Sequence, residues 1–206
     1  MFSVRNIIVL LIIVVVSGFA FLSFKQSIAP NVLPSPTPTK HLDIVTIESV
    51  PEVEMSNVHS PDGKMKLIME KVTRGGSSDY TFSVSDETET DKKIVFTKTL
   101  PQGFSMEISQ NAWSPDNKYF FITEKSSGSS NYFVFEATGE PFSNNQQYIN
   151  VLPLFVAKNT GFELSDVTGW ASPTLIYLLT KLDSGQQGPT FWLEIPSLAI
   201  IRLASR

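Results

Sequence analysis

A chain of 206 residues with no cysteine excludes disulfides, thiolate metal sites and thiol catalysis. Its formal net charge is −4, and beyond residue 42 it carries 13 basic and 20 acidic residues, a net charge of −7. That balance disfavours binding to nucleic acid, which needs clustered Lys and Arg, and adsorption to anionic lipid headgroups.

The N-terminus contains an uncharged apolar segment at residues 7–24, of which Ile7–Val16 is unbroken aliphatic. As a helix it would span ~27 Å, close to the hydrocarbon thickness of a bilayer. Secretory signal cores are shorter, about 7–15 residues, and the cleavage positions here are poor. We therefore predict an uncleaved transmembrane signal-anchor helix at 7–24 after a short cytoplasmic tail at 1–6. A cleaved signal peptide and a buried core helix are the alternatives.

Residues 25–42 form a Pro/Ser/Thr-rich linker, with prolines at positions 30, 34, 36 and 38. This composition favours an extended, polyproline-like chain of ~3.1 Å per residue, so the linker could hold a domain up to roughly 50 Å from the membrane. Arg5 and Lys25 flank the apolar segment on opposite sides and barely determine its orientation. The prediction that the C-terminal domain is extracytoplasmic therefore depends mainly on the linker.

The remaining chain, residues 43–206, contains a repeated turn. Ser60-Pro61-Asp62-Gly63 recurs 54 residues later as Ser114-Pro115-Asp116-Asn117, and Ser172-Pro173 is a weaker third copy. Pro presets φ, Asp bonds nearby backbone N–H groups, and Gly or Asn accepts the left-handed conformation, so the pattern predicts type I turns. We interpret these residues as structural and assign no catalytic, cofactor-binding or metal-binding residue.

A similar succession of segments follows each turn. An apolar strand leads through a Gly/Ser loop to an aromatic strand, and a second turn leads to a closing strand. The apolar strands are predicted at 65–71, 119–123 and 175–180, the aromatic strands at 80–84, 132–136 and 191–195, and the closing strands at 94–97, 147–151 and 198–203. Four strands repeated at a long period are typical of a propeller blade. No segment after residue 25 shows a helical period. We predict an all-β fold of three propeller-like four-stranded antiparallel blades, at about 50–104, 105–160 and 161–206.

The second repeat, Trp113-Ser114-Pro115-Asp116-Asn117-Lys118 before Tyr119-Phe120-Phe121-Ile122, resembles the TolB-like, WD40-like (PD40-type) propeller repeat. The hallmark of that family is an aromatic-Ser-Pro-Asp-Gly-Lys turn followed by an apolar strand. The first repeat departs from it with His59 in the aromatic position, and the third lacks the Asp. The resemblance covers roughly residues 50–206 and implies a fold. Propellers of this type bind proteins, glycans or peptides, and some are accessory domains of hydrolases, so no single activity is implied.

The number of blades raises a problem, because closed propellers typically have four to eight. Strands such as 119–122 and 175–179 are apolar on both faces, so three unclosed blades would expose two apolar end faces at a cost of ~25 cal/mol per Å². We therefore expect a small closed ring (a complete β-propeller), self-association as a homo-oligomer, or capping of an incomplete propeller by residues 43–55 and 141–166.

Motifs for common chemistries are missing from the sequence, which has no Gly-x-Ser-x-Gly elbow, Walker A loop or Gly-x-Gly-x-x-Gly. His41 and His59 lack the spacing of common zinc motifs. The acidic run at 86–91 could bind Ca²⁺ weakly, although a solvated hairpin turn is the preferred interpretation. Aromatic side chains could form a sugar-stacking platform, with core packing as the default. They are Trp113, Tyr119, Phe120, Phe121, Tyr132, Phe133, Phe135, Trp170, Tyr177, Phe191 and Trp192.

These features predict a membrane-anchored extracytoplasmic binding or scaffold module at the cell membrane. It would contact the lipid bilayer through residues 7–24 and an envelope protein or glycan through its exported domain, without a cofactor or nucleic acid. The alternative is a cell-envelope enzyme that acts on glycan or peptide through loop carboxylates, with Glu163, Asp166 and Asp183 as candidates. A fragment that needs a partner chain to complete a ring is a third possibility.

Overall fold

A computed structural model describes residues 51–204, which contain twelve strands and one short helix. The prediction of an all-β fold with three four-stranded antiparallel sheets is confirmed for this part of the chain. The first sheet contains β1 (Glu52–His59), β2 (Met65–Arg74), β3 (Ser77–Asp86) and β4 (Lys93–Pro101). The second contains β5 (Ser105–Glu107), β6 (Tyr119–Lys125), β7 (Ser130–Glu136) and β8 (Ile149–Asn150). The third contains β9 (Glu163–Ser172), β10 (Leu175–Lys181), β11 (Phe191–Glu194) and β12 (Ala199–Arg202).

Within each sheet the strands lie in chain order, so strands that follow one another in the sequence are also paired side by side. Short turns are sufficient for such antiparallel pairs. The longest register joins β2 to β3 over ten residue pairs, and Gly75 closes that hairpin with a φ of 59°. The closing strand of the first repeat, β4, extends four residues beyond the predicted 94–97 because β3 offers partners as far as Ser77.

One short helix, α1 (Val151–Ala157), lies among the strands, although no helical period is visible in the sequence there. Its seven residues are all apolar, so no polar face reveals a helical period. Pro153 lies in the first turn, where its missing N–H costs little. Val151 and Phe155, one helical turn apart, are buried, and the Leu152 N–H donates to Asn131 Oδ1 at 3.3 Å.

The first of two buried apolar clusters lies between the first and second sheets. Leu67, Phe82 and Val84 of the first sheet pack there against Phe120, Ile122 and Phe135 of the second. Phe120 and Phe135 stack with ring centroids 5.3 Å apart. Lys98 of β4 also reaches Glu124 of β6 at 2.6 Å, so an ion pair joins the same two sheets.

The second cluster lies between the second and third sheets and includes α1. Phe121 and Val134 pack there with Ile176, Leu178 and Leu193, while Phe155 of α1 contacts the ring of Phe191. Residues 120 and 122 of β6 therefore belong to one interface and residue 121 to the other. The expectation that this strand is apolar on both faces because sheets cover both sides is confirmed.

The first and third sheets are less completely buried than the second. On β10 the residues Ile176, Leu178 and Thr180 are buried, whereas the alternating Leu175, Tyr177 and Leu179 are only half-buried. On β1 nearly every residue is exposed, including Val53 at 57% and Met55 at 63%. Neither apolar cluster of residues 51–204 contains residues from both the first and the third sheet.

The predicted cytoplasmic tail, signal-anchor helix and linker lie outside the described residues, as does His41. Between residues 51 and 204, no helix has the length and apolarity needed to cross a membrane.

Candidate functional site

The first Ser-Pro-Asp turn is held by its own side chains. Ser60 Oγ donates to Asp62 Oδ1 at 2.8 Å and accepts from the Met65 N–H at 3.0 Å. The Lys64 N–H donates to the same Asp62 oxygen at 3.1 Å. Gly63 takes a left-handed φ of 76°, and its N–H donates to the Ser60 carbonyl at 2.9 Å. The Ser60 hydroxyl, Asp62 Oδ1 and the Gly63 N–H thus shape the turn that leads into β2.

The second turn repeats this network. Ser114 Oγ donates to Asp116 Oδ1 at 2.8 Å and accepts from the Tyr119 N–H at 2.9 Å, and Asn117 takes a left-handed φ of 62°. The Asp62 N–H donates to Asn117 Oδ1 at 3.2 Å, so the two turns touch each other. The third copy is a tighter hairpin in which Ser172 pairs with Leu175 directly across Pro173 and Thr174.

The hydrogen bonds of the turns keep both aspartates ionised. The Ser60 hydroxyl and the Lys64 N–H lower the pKa of Asp62. Burial alone would raise the pKa of Asp116, but hydrogen bonds from Ser114 and Lys118 outweigh it and lower the pKa. In both turns these bonds go to Oδ1, while Oδ2 lies 3.6 Å from Lys64 Nζ in the first turn and 3.3 Å from Lys118 Nζ in the second. Each carboxylate is therefore engaged by its own turn.

A contact made by tryptophan also recurs between successive sheets. The Trp113 indole N–H donates to the Val58 carbonyl at 3.1 Å, and the Trp170 indole N–H donates to the Ala112 carbonyl at 2.9 Å. Val58 and Ala112 each lie two residues before a Ser-Pro turn. Each bond therefore joins one sheet to the equivalent point of the preceding one.

The other aromatic candidates are mostly core residues, as the default interpretation predicted. Half-buried exceptions fall into two places. Tyr119 stacks between Phe142 and Trp170 with centroid distances of 6.1 Å to each. Tyr177 and Trp192 lie together on the outer face of the third sheet, with centroids 6.3 Å apart. The buried members are Trp113, Phe120, Phe121, Tyr132, Phe133, Phe135 and Phe191.

The acidic run at 86–91 forms the turn between β3 and β4, in agreement with the preferred interpretation. Asp86 accepts from the Thr88 hydroxyl at 2.9 Å and from the Thr90 N–H at 3.1 Å, and the Thr88 bond is the largest cause that lowers its pKa. Glu89 pairs with Lys66 at 2.8 Å. Within residues 51–204 no group of three or more His, Asp or Glu residues lies close enough to hold a metal ion.

The expectation that Glu163 and Asp166 are loop acids is wrong, because both lie in β9. Glu163 pairs with Lys181 of the neighbouring strand at 3.1 Å. Asp183 does lie in a loop, in the turn between β10 and β11. Asp166 differs from these two because it accepts from the Tyr132 hydroxyl at 2.7 Å, across the boundary between the second and third sheets, where it lines a cavity.

That cavity, which we call the polar cavity, is an open groove of about 530 Å³ between the second and third sheets. Its volume lies within the range of small-molecule sites. The second sheet supplies its floor, the segment after β5 supplies one rim, and β9 supplies the other. The lining residues are Glu107, Ser109, Asn111, Thr123, Lys125, Ser130, Tyr132, Ser165, Asp166, Val167 and Thr168.

Strand register builds the floor of the polar cavity. Thr123 of β6 pairs with Glu107 of β5 on one side and with Tyr132 of β7 on the other. The next row on the same face contains Lys125 and Ser130, and Lys125 Nζ lies 2.6 Å from Glu107 Oε1. Side chains two residues apart on a strand share a face, so these groups point towards the third sheet together.

Thr123 is the unusual member of this floor. It is 2% exposed, and its Oγ1 has no hydrogen-bond partner among the described residues. Buried hydroxyls are normally paired, and an unpaired one costs about 1–3 kcal/mol. The neighbouring Tyr132 is a fixed donor, because burial and its bond to Asp166 raise the pKa of the phenol far above its usual range.

A second groove of about 590 Å³ adjoins the polar cavity and shares Lys125, Ser130 and Ser165 with it. This groove has a more apolar lining, which includes Leu152 and Val156 of α1 and Phe162. Val156 is 66% exposed. The junction of the second and third sheets thus offers a polar section that continues into an apolar one.

Comparison of the chain with protein-family models and with curated proteins gave no significant match. The sequence does carry one signal for the floor, a Thr that follows Phe120-Phe121-Ile122 on a buried strand. The bond between Tyr132 and Asp166 joins residues 34 positions apart, and no local pattern indicates it.

Proposed function

We propose that this chain is a membrane-anchored extracytoplasmic binding module that holds a ligand in the polar cavity. The proposal includes a propeller-like arrangement of the TolB-like, WD40-like type, with the bilayer contacted through residues 7–24. The repeated indole-to-carbonyl bonds of Trp113 and Trp170 support it, because equivalent contacts at successive sheet boundaries are what a repeat architecture requires.

The observation that carries the binding function is the unpaired Thr123 hydroxyl on the floor of the polar cavity. The floor is rigid, because Thr123 and Tyr132 are buried and belong to paired strands. The rim residues Ser165, Asp166 and Thr168 are exposed and accessible to a ligand. A pre-formed concave site with convergent polar groups is the usual form of a ligand-binding site.

A blocking variant tests this assignment. The full chain in detergent is immobilised and challenged with soluble glycan and peptide fragments released from cell envelopes, and retained compounds are identified by mass spectrometry. Ser165→Trp fills the rim of the polar cavity from an exposed strand position. Ser56→Trp is the matched control, since Ser56 is exposed on β1 and outside the cavity. Retention by the wild type and the control, with loss in Ser165→Trp, supports the assignment; equal retention by all three refutes it.

Membrane topology is tested separately. A phosphatase that is active only outside the cytoplasm is fused after residue 206, and its activity is measured in intact cells. We expect activity with the full chain and none after deletion of residues 7–24. Equal activity of both fusions would contradict the anchor.

An enzyme that acts on glycan or peptide is the second candidate, because two carboxylates, Glu107 and Asp166, line the same cavity. Glycoside hydrolases usually use a pair of carboxylates for catalysis. Glu107 is already paired with Lys125, and Asp166 already accepts from Tyr132, so both are engaged in the free protein. Turnover of the retained compounds, abolished by Glu107→Gln, would favour the enzyme over the binding module.

A further inference from the structure

We infer that the polar cavity takes a neutral saccharide and that Thr123 determines its affinity. This inference rests on the proposed function, since it names the ligand of the same site. It depends on three features of the cavity: the chemistry of the lining, the balance of charge, and the unpaired hydroxyl on the floor.

The lining is dominated by groups that both donate and accept hydrogen bonds. Hydroxyls or an amide are carried by Ser109, Asn111, Thr123, Ser130, Ser165 and Thr168. Sugar hydroxyls also donate and accept, so each can pair with a group of this kind. Val167 is the one aliphatic residue among the described residues that line the cavity, which leaves little apolar surface for a hydrophobic ligand.

The charge of the cavity disfavours anions. Lys125 and Glu107 neutralise each other at 2.6 Å, and Asp166 is the remaining charged residue in the lining. Asp166 Oδ1 accepts from the Tyr132 hydroxyl at 2.7 Å and from the Val167 N–H at 2.8 Å. Oδ2 of the same carboxylate is left to accept from a ligand hydroxyl, while an acidic sugar would be repelled.

Thr123 carries a hydroxyl that the free protein leaves without a hydrogen-bond partner. It lies between Glu107 and Tyr132 in one row of the second sheet, and its hydroxyl is buried without a partner in the described part of the chain. Valine would fill the same volume without the unpaired hydroxyl, so stability alone would favour valine at this position. A ligand hydroxyl that pairs with Thr123 would give it the hydrogen bond that the free protein lacks.

The experiment uses the full chain in a detergent without a sugar headgroup and measures binding by isothermal titration calorimetry. The neutral probes are cellobiose, maltose and N,N′-diacetylchitobiose. Digalacturonic acid is the charged probe, and the peptide Gly-Ser-Gly-Ser is the non-saccharide probe. We expect at least one neutral disaccharide to bind and the acidic one to bind at least about tenfold more weakly.

Three variants show whether Thr123 is responsible. Thr123→Val should weaken binding of the neutral disaccharide roughly five- to tenfold, because a single hydrogen bond is lost. The melting temperature of the free protein should not fall. Thr123→Ser keeps the hydroxyl and should restore most of the affinity. Ser85→Ala is the matched control, since Ser85 also has a buried unpaired hydroxyl but lies in the first sheet, away from the cavity.

The outcomes separate this inference from the proposed function. Binding of the peptide but of no saccharide would overturn the ligand class, and the Ser165→Trp test would still decide whether the cavity binds a ligand. Binding of no neutral disaccharide overturns the inference as well. Disaccharide binding that is unchanged in Thr123→Val overturns the role of Thr123.

Discussion

The indole N–H of Trp113 donates to the backbone carbonyl of Val58, 3.1 Å away and 55 residues earlier in the chain. Trp170 makes the same kind of bond to Ala112, 58 residues earlier, at 2.9 Å. Both separations are close to the repeat spacing of 54 residues between Ser60 and Ser114. His59 holds the corresponding position of the first repeat, where the described residues contain no preceding sheet for an indole to reach.

Trp113→Phe is predicted to destabilise the fold by about 1–3 kcal/mol. Phenylalanine keeps an aromatic ring in the first apolar cluster but loses the indole donor and leaves the Val58 carbonyl unpaired. The free energy of unfolding, measured by urea denaturation of the full chain in detergent, reports the change.

Trp192→Phe is the matched control, because the Trp192 indole N–H has no hydrogen-bond partner in the described part of the chain. We expect this variant to differ from the wild type by less than about 1 kcal/mol. Equal losses in the two variants would mean that the indole-to-carbonyl bond contributes nothing beyond ring packing.

Local chemistry explains what could be predicted of the fold. The Ser-Pro-Asp turns are determined by residues adjacent in sequence, so they could be recognised directly and their recurrence gave the repeat. Continuous apolar segments such as 119–122 and 175–179, each after a Ser-Pro turn, predicted the buried strands. Helix α1 could not be predicted in this way, because an entirely apolar segment such as Val151–Ala157 fits a buried strand equally well.

The polar cavity was harder to predict because no segment contains it. Thr123 and Tyr132 meet through strand register, and Asp166 joins them only because the third sheet packs on the second. Asp166 was named from the sequence as one of three candidate acids, but its partner and its place in a strand were not. Long-range contacts of this kind depend on how sheets stack, which is a tertiary property.

Asn117→Ala is predicted to cost about 1–2 kcal/mol, because alanine is strained at the left-handed φ of 62°. Asn117→Gly removes that strain and loses only the bond from the Asp62 N–H, so it should lie closer to the wild type. Urea denaturation distinguishes them. An alanine variant as stable as the glycine variant would contradict the left-handed turn.

Acid is predicted to weaken both Ser-Pro-Asp turns. The folded protein lowers the pKa of Asp62 and of Asp116, so each carboxylate contributes stability that is fully present above its unfolded pKa of about 4. That contribution is lost as pH falls through the lower folded pKa. Wild type should therefore exceed Asp116→Asn in unfolding free energy at pH 6, and the gap should narrow as the pH falls below the unfolded pKa towards the lower folded one. A gap that widens towards low pH would reverse the sign and refute the argument.

Gly169→Ala is predicted to loosen the contact between the second and third sheets and to cost at least about 2 kcal/mol. Gly169 has a φ of 132°, and an added Cβ would overlap the Asn111 amide, which donates to the Thr168 carbonyl. Gly76→Ala is the control, since Gly76 lies in a hairpin turn and nothing would contact its Cβ.

A double variant separates the steric overlap with Asn111 from the strain of the backbone at residue 169. Asn111→Ala removes the overlapping amide, so Asn111→Ala/Gly169→Ala should be more stable than the sum of the single losses predicts. Strict additivity, measured by urea denaturation, would show that only the backbone conformation resists the substitution. Asn111 and Thr168 also line the polar cavity, so Gly169→Ala should weaken ligand binding while Gly76→Ala leaves it unchanged.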